Sequence, residues 1–557
     1  MLLFPDLAKA LQKLTRAGAI LWLALMSACT GTIGADRGSG SSNGGAGGGP
    51  SAGGSAGGGD GHTLGTVPIQ NVADKAIARL TNSQFVHSAA ALVGEPATRG
   101  ISALLPLQDI QDGLFQNMGF AQEELYSTVQ GYDAAATAIV SNISDWTGFH
   151  ARFGGCAQIS CVNTFLSMFL EAAFRRPVTE PDVSAFKPIL DASAAAALSY
   201  NDTVALLVRA TLQAPEFLYF VFDDPLNDFQ LAERLSYLIT DGPPDAMLDA
   251  AAKAHQLSNQ SAFDAQVDRL LAGGMAPFAQ AFAFDFLTLH KAPTRNVNQT
   301  SVSTAADAAT VTAFVQSAID SFAALVSADQ PISAVLTTDT FVVNAATATW
   351  ISGQTAPAGT IKPTGTYPFL GLLTHPATLI AVSNAVFGST VSRGQFIANQ
   401  LLCVPPTPPP PPGVQQTDLS AELPPNPTAR DYGVARMRDA RCAGCHTQFE
   451  PYSFALNRWG GDGLFKTDPA LKDDGPIVTG LGSLSFNGYQ DFLPMVAQSK
   501  QYQRCMTDHV VRYGLQHTQY PAELVDSVLA AAQSAGAPVT FRALVKALVH
   551  QTIFRSR

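Results

Sequence analysis

Near its C-terminal end the sequence reads Cys442-Ala443-Gly444-Cys445-His446, and the character of the last domain depends on these five residues. Two cysteines three residues apart, followed by a histidine, are typical of covalent c-type haem attachment. On one helical turn both thiols face the same side, where they reach the two vinyl groups of a porphyrin, and His446 faces its iron. The carbonyl of Pro451 is a candidate acceptor for the imidazole. The stretch predicts one covalent haem c, bound through Cys442, Cys445 and His446.

Three other interpretations of this motif stay open from sequence alone. A zinc site would need two further ligands, from Cys403, Cys505 or a histidine, and the chain has no second pair of cysteines with this spacing. A thioredoxin-like redox pair would need a βαβ context, which the pattern does not show. A disulfide between Cys442 and Cys445 would be strained.

The second axial ligand of the iron has several candidates. Met495 lies downstream of His446, and a thioether at such a distance is the usual distal ligand, which raises the reduction potential. Met506, His509 and His517 are rivals, and an open or water-bound iron is the remaining alternative. We therefore assign the metal to His446 and Met495, with Met495 also interpretable as a core residue.

Outward from the motif, the periodicity of apolar residues is mostly helical. Helical patterns cover Val72–Val93, Cys161–Phe174, Thr203–Leu212, Leu226–Leu238, Ala262–Leu271, Asp307–Ser327 and Tyr432–Cys442. Strand alternation is scarce, and Thr340–Asn344 is the one candidate. The sequence therefore predicts a mainly α protein with several helical domains in series, the C-terminal one cytochrome c-like, after a flexible Gly/Ser tether.

Composition shifts divide the chain of 557 residues into segments. The proline string from Pro405 to Pro412 is typical of polyproline II and marks a stiff spacer. The predicted segments are a lipoprotein signal peptide (1–29), a disordered tether (30–70), an N-terminal helical domain (71–150), a helical domain with an FRRP segment (151–222), a large helical domain (223–403), a proline-rich linker (404–428) and the haem c-like domain (429–557).

The N-terminus has the pattern of an export signal. Three basic residues precede the apolar run Ala17–Ala28, and Leu25–Cys29 resembles a bacterial lipobox. We expect Cys29 to receive lipid and the Gly/Ser-rich tether to follow it, because such a stretch cannot bury enough apolar surface to fold. Thr30 after the cysteine favours the outer membrane, facing periplasm or cell surface. An ordinary cleaved signal with a chance cysteine is the alternative.

Composition and charge restrict the function. Hydrophobic residues make up 46% of the chain and charged residues 14%, which is typical of packed globular domains. The net charge of −11 argues against nucleic-acid binding, which needs a basic surface. An acidic protein would instead attract a basic redox partner protein.

The other cysteines fit an oxidising compartment. Cys156 and Cys161 are close enough in sequence for a short local disulfide. Cys403 and Cys505 remain, and a disulfide between them would pin the proline-rich linker to the C-terminal helices. Pairing cannot be derived from spacing alone, so both disulfides are hypotheses.

Several segments together resemble the planctomycete-type cytochrome c-like exported proteins, a family of serial domains of unknown function that is also frequent in myxobacteria. The resemblance rests, in chain order, on Arg79–Phe85 (RLTNSQF), Phe174–Thr179 (FRRPVT), Ala214–Tyr219 (APEFLY), Leu231–Tyr237 (LAERLSY), Pro243–Asp245 (PPD), Gly371–Thr374 (GLLT), Ser392–Gly394 (SRG), Cys442–Gly463 and Arg512–Leu515. Asn457 and Arg458 depart from the acidic residues expected there. The resemblance implies a haem domain and leaves the substrate open.

The function expected from these observations is electron transfer by a lipid-anchored monohaem protein at the cell envelope. The alternatives are a haem-dependent surface oxidoreductase and a non-redox surface binding protein in which the CxxCH is a structural staple. No catalytic residue is assigned, because the chain shows no HExxH or phosphate-binding loop pattern.

Overall fold

The fold is known for most of the chain after the predicted tether. The computed structural model describes residues 77–106, 115–119, 126–294, 306–352, 355–362, 368–383, 389–407, 418–476, 485–533 and 536–556. The predicted signal peptide, Cys29 and the Gly/Ser tether lie outside the described residues. From Asn71 onward the chain forms one compact unit, and the segment boundaries proposed within it stay predictions.

Helices dominate the structure, which confirms the mainly α prediction. The α-helices before residue 225 are α1 (Asn82–Val93), α2 (Glu95–Thr98), α3 (Tyr126–Asn142), α4 (Trp146–Ala151), α5 (Val162–Phe174), α6 (Glu180–Ser184), α7 (Lys187–Ala195), α8 (Tyr200–Thr211) and α9 (Pro215–Leu218). Those between residues 225 and 405 are α10 (Asp228–Thr240), α11 (Ala246–Lys253), α12 (Gln260–Ala272), α13 (Ala276–Phe286), α14 (Ala308–Ser327), α15 (Ala334–Thr337), α16 (Ala345–Ser352), α17 (Pro376–Ala381) and α18 (Thr390–Phe396).

The remaining α-helices carry the motif and the C-terminal part. They are α19 (Ala429–Arg438), α20 (Ala443–His446), α21 (Glu450–Ser453), α22 (Tyr489–Gln498), α23 (Lys500–Leu515), α24 (Ala522–Ala532) and α25 (Phe541–Val549). Short strands form three antiparallel pairs: β1 (Ala78–Arg79) with β2 (Tyr219–Phe220), β3 (Phe341–Val343) with β4 (Gly359–Ile361), and β5 (Asp474–Pro476) with β6 (Ser485–Asn487).

Helix α1 begins later than its periodicity predicts, at Asn82 and not at Val72. Thr81 caps the helix by accepting from the Gln84 amide, while the Gln84 side chain accepts from the Thr81 amide. Just before this capping box, β1 pairs with β2, so Ala78 and Arg79 are extended. The apolar residues of the strand continue the spacing of those in the helix, so the sequence pattern does not indicate where the helix begins.

One described helix, α14, is long and apolar enough to cross a membrane by length and composition. Half of its apolar window is buried inside the fold, and Phe314, Ala318 and Phe322 are fully buried. Asp307 caps it by accepting from the Thr310 amide. These contacts are those of a core helix in a globular unit.

One buried arginine joins three of the segments that carry the family resemblance. Arg175, in FRRPVT, forms an ion pair with Glu233, in LAERLSY. It also donates to the carbonyls of Ala173 at 3.0 Å and of Phe217, in APEFLY, at 3.1 Å. Arg175 and Glu233 are both largely buried, so each charge requires its partner. These segments therefore form one packing site.

The end of the described chain closes over α10. Arg234 donates to the carbonyls of Phe554 at 2.9 Å and Ser556 at 2.7 Å, and its guanidinium lies over the Phe222 ring. Burial lowers the pKa of Arg234 to about 10. The amide of Leu226 also donates to a carbonyl at this end of the chain. Residues more than 300 positions apart in sequence thus form one structural unit.

Candidate haem attachment site

The CxxCH motif occupies a short helical turn between two helices. Helix α19 is capped by Thr428 and ends at Arg438, and α20 follows with Cys442 at its N-terminal boundary. The amides of Cys445 and His446 both donate to the Cys442 carbonyl, at 3.2 and 3.1 Å. One turn therefore carries both sulfurs and the imidazole on neighbouring positions.

Both cysteines of the motif are free thiols. Cys442 is buried and Cys445 is half-buried, and the structure forms no disulfide between them. The space beside the intervening Gly444 is open, since a Cβ there would meet no atom within 4 Å. The turn thus offers two thiols with an open surface at the glycine between them.

The ring of His446 is oriented by a carboxylate. Its Nδ1 lies 2.8 Å from Oε1 of Glu450, four residues later, and the ring also packs against Phe449. The Pro451 carbonyl expected from sequence is not the acceptor, because the Glu450 side chain occupies that role. A carboxylate can only accept, so Nδ1 is the ring atom that donates to Glu450, which leaves Nε2 as the ring atom facing away from this contact. Nε2 makes no hydrogen bond with a described residue and is the atom available to a metal.

Glu450 is fully buried and shares its oxygen with an arginine. Arg436, on α19, lies with its Nε 2.5 Å from Oε1 of Glu450 and donates from its other end to Thr390 Oγ1 at 3.0 Å. Gly433 makes room for this carboxylate, since a Cβ there would lie 2.0 Å from Oε2. The ion pair therefore ties α19, α20 and α21 together under the motif.

The SRG segment supports the loop that follows the motif. Arg393 is buried and donates to the carbonyls of Leu456, Trp459 and Gly460 at 2.7 to 2.8 Å, and to a serine hydroxyl. The neighbouring Gly394 allows the backbone to approach, because a Cβ there would lie 2.5 Å from the Phe449 carbonyl oxygen. This segment precedes the proline string and its partners follow it, so the parts of the chain before and after the string pack against each other.

The candidate distal ligands lie in different environments. Met495 is half-buried on α22, which contacts the turn Phe454–Leu456 that continues α21. Met506 is fully buried in the core. His509 is also buried, with Nε2 3.0 Å from the Gln400 carbonyl, and burial lowers its pKa to about 4. His517 is partly exposed near the end of α23 and accepts from the Gln519 amide.

The other four cysteines form two disulfides. Cys156 is bonded to Cys161, and Cys403 to Cys505. Among the described residues, the one cluster of three metal-binding side chains is Cys403, Cys505 and His509. Both of its sulfurs are consumed by the disulfide, so no thiolate is available there. The zinc interpretation of the CxxCH gains no further ligand from this cluster.

Fold and site together define a mainly helical protein with a CxxCH turn that carries two free thiols. Three family models match the chain in series: PSD5, protein of unknown function (DUF1595), over residues 161–221; PSD4, protein of unknown function (DUF1592), over 226–350; and PSCyt3, protein of unknown function (DUF1588), over 370–469. The chain belongs to the planctomycete cytochrome c-like family. The PSCyt3 match includes the CxxCH and runs across the proline string. Comparisons with curated proteins and with solved structures gave no match.

Proposed function

We propose that the protein is a lipid-anchored monohaem c-type cytochrome that transfers electrons at the cell envelope. One observation carries the proposal: two free thiols and an imidazole with an unengaged Nε2 lie on a single turn. This donor set fits a haem that Cys442 and Cys445 would hold covalently and whose iron His446 would bind. The bound haem would supply one-electron redox chemistry.

The residues of the chain would bind and orient this group. The two thiols would fix its edge, and the Glu450 carboxylate would hold the His446 ring in the tautomer that ligation requires. We propose Met495 as the distal ligand, because its helix contacts the turn that follows the motif. Electron transfer to a basic partner protein agrees with the net charge of −11.

The haem proposal is tested on the full-length protein made in cells with working haem-attachment machinery. We expect haem staining to persist after denaturing electrophoresis, and the intact mass to rise by one haem. The reduced protein should show the sharp α band of a c-type cytochrome. A colourless chain of unmodified mass would contradict the proposal.

The envelope location is proposed from the lipobox and agrees with the two disulfides, which persist in oxidising compartments. A Cys29→Ala variant is expected to incorporate no fatty acid, because a single residue carries the lipid. The measurement is metabolic labelling with a radioactive fatty acid in the wild-type protein and the variant, with haem staining of both as the control for export. Equal labelling of both, or no labelling of the wild-type protein, would contradict the anchor.

A further inference from the structure

We propose that Glu450 is a positioning residue that gives the His446 imidazole anionic character and thereby lowers the reduction potential of the haem. The inference deepens the proposed function, and its haem-dependent part rests on it. A backbone carbonyl would orient the same ring with a partial charge only. A buried carboxylate does so with a full charge, and hydrogen bonds to ionised groups are roughly twice as strong as neutral ones.

The geometry concentrates two donors on one oxygen. Oε1 of Glu450 lies 2.8 Å from Nδ1 of His446 and 2.5 Å from Nε of Arg436. The Glu450 side chain is 0% exposed, so water does not weaken these interactions. The proton on Nδ1 is drawn toward the carboxylate, which increases the electron density on Nε2. A more basic ligand stabilises the oxidised metal and lowers its potential.

Arg436 limits this effect. Its guanidinium pairs with Glu450 and is held in place by Thr390 on α18. Oε2 of Glu450 receives no hydrogen bond from any described residue and lies against Gly433. Arg436 and the His446 ring are thus the described groups that compensate the carboxylate charge. Removing the charge of Glu450 and removing the charge of Arg436 should therefore shift the reduction potential in opposite directions.

A purely structural ion pair would behave differently. If Glu450 and Arg436 only tied α19 to α21, either substitution would lower stability and neither would shift the potential in a defined direction. Opposite shifts require that the two charges act on the iron, and the measurement on the haem-free ring separates action through the His446 imidazole from direct electrostatics. The sign of the change separates the two roles even where both variants are less stable.

The first measurement is the midpoint potential of the full-length holoprotein by spectroelectrochemistry. Glu450→Gln keeps the shape and an acceptor but removes the charge, so the potential should rise. Arg436→Gln leaves the carboxylate uncompensated, so the potential should fall. Arg438→Gln removes a positive charge from an exposed position on the same helix, so it should shift the potential least of the three. Shifts of the same sign in the first two, or shifts no larger than the control, would overturn the proposal.

The second measurement requires no haem. In the haem-free Cys442→Ala/Cys445→Ala background, nitrogen NMR reports which nitrogen of the His446 ring carries the proton. We expect the Nδ1–H form with Glu450 and a loss of that preference in Glu450→Gln. An Nε2–H ring in the presence of Glu450 would overturn the positioning role. If the ring of this background carries its proton on Nδ1 but the wild-type protein attaches no haem, the proposed function fails and the positioning role of Glu450 stands.

Discussion

A Cys442→Ala/Cys445→Ala double variant is expected to carry no covalent haem, a complete loss of the chromophore from the denatured chain. The reason is chemical: thioether attachment consumes one thiol for each vinyl group, and these are the two free thiols among the described residues. The measurement is haem stain per mole of chain after denaturing electrophoresis, with intact mass as a second readout.

The matched control removes another cysteine pair. A Cys403→Ala/Cys505→Ala variant should keep its haem, because its sulfurs are bonded to each other in the native chain. It is expected to be less stable by about 2 to 5 kcal/mol, the usual cost of losing a native disulfide. The assignment fails if this control loses the stain while the Cys442/Cys445 variant retains it.

The second large effect is expected at Arg393, where Arg393→Met should lower the free energy of unfolding by about 3 to 5 kcal/mol. The guanidinium is buried and donates to three carbonyls in the loop after the motif. Methionine fills much of the volume but leaves these acceptors without their donor. Chemical denaturation of the full-length protein measures the change.

Arg438→Met is the control for this experiment. It removes an arginine of the same size from an exposed position on α19, where no hydrogen bond or ion pair is formed with a described residue. Its effect should stay within about 0.5 kcal/mol, as is usual for surface substitutions. A loss at Arg393 no larger than that at Arg438 would contradict the supporting role of the SRG segment.

The motif could be found from sequence because its chemistry depends on local spacing. Cys442, Cys445 and His446 lie on one turn in the structure, as a helical reading of CxxCH requires. Most helices could also be located, since an amphipathic pattern reports burial directly. Helix boundaries were harder to predict, because the apolar residues of the strand at Ala78 continue the periodicity of the helix that begins after Thr81.

Glu450 was missed although a sequence signal existed. A carboxylate four residues after a histidine lies on the same helical face, which is the spacing for a side-chain hydrogen bond. We expected the Pro451 carbonyl to accept from the His446 ring and did not consider the side chain of Glu450, the residue before it. Long-range partners had no such signal. Nothing in the spacing of Arg175 and Glu233, or of Gly394 and Phe449, indicates that they meet, because tertiary contacts of this kind depend on the whole fold.

The closure of α10 by Phe554 and Ser556 has a consequence for biogenesis. A ribosome releases the chain from its N-terminus, so Arg234 is synthesised long before the carbonyls that receive its hydrogen bonds. Until those last residues emerge, a buried cation in the middle of the protein lacks its acceptors, and native packing there is postponed. Chains truncated before residue 554 should therefore be sensitive to proteolysis around the central helices.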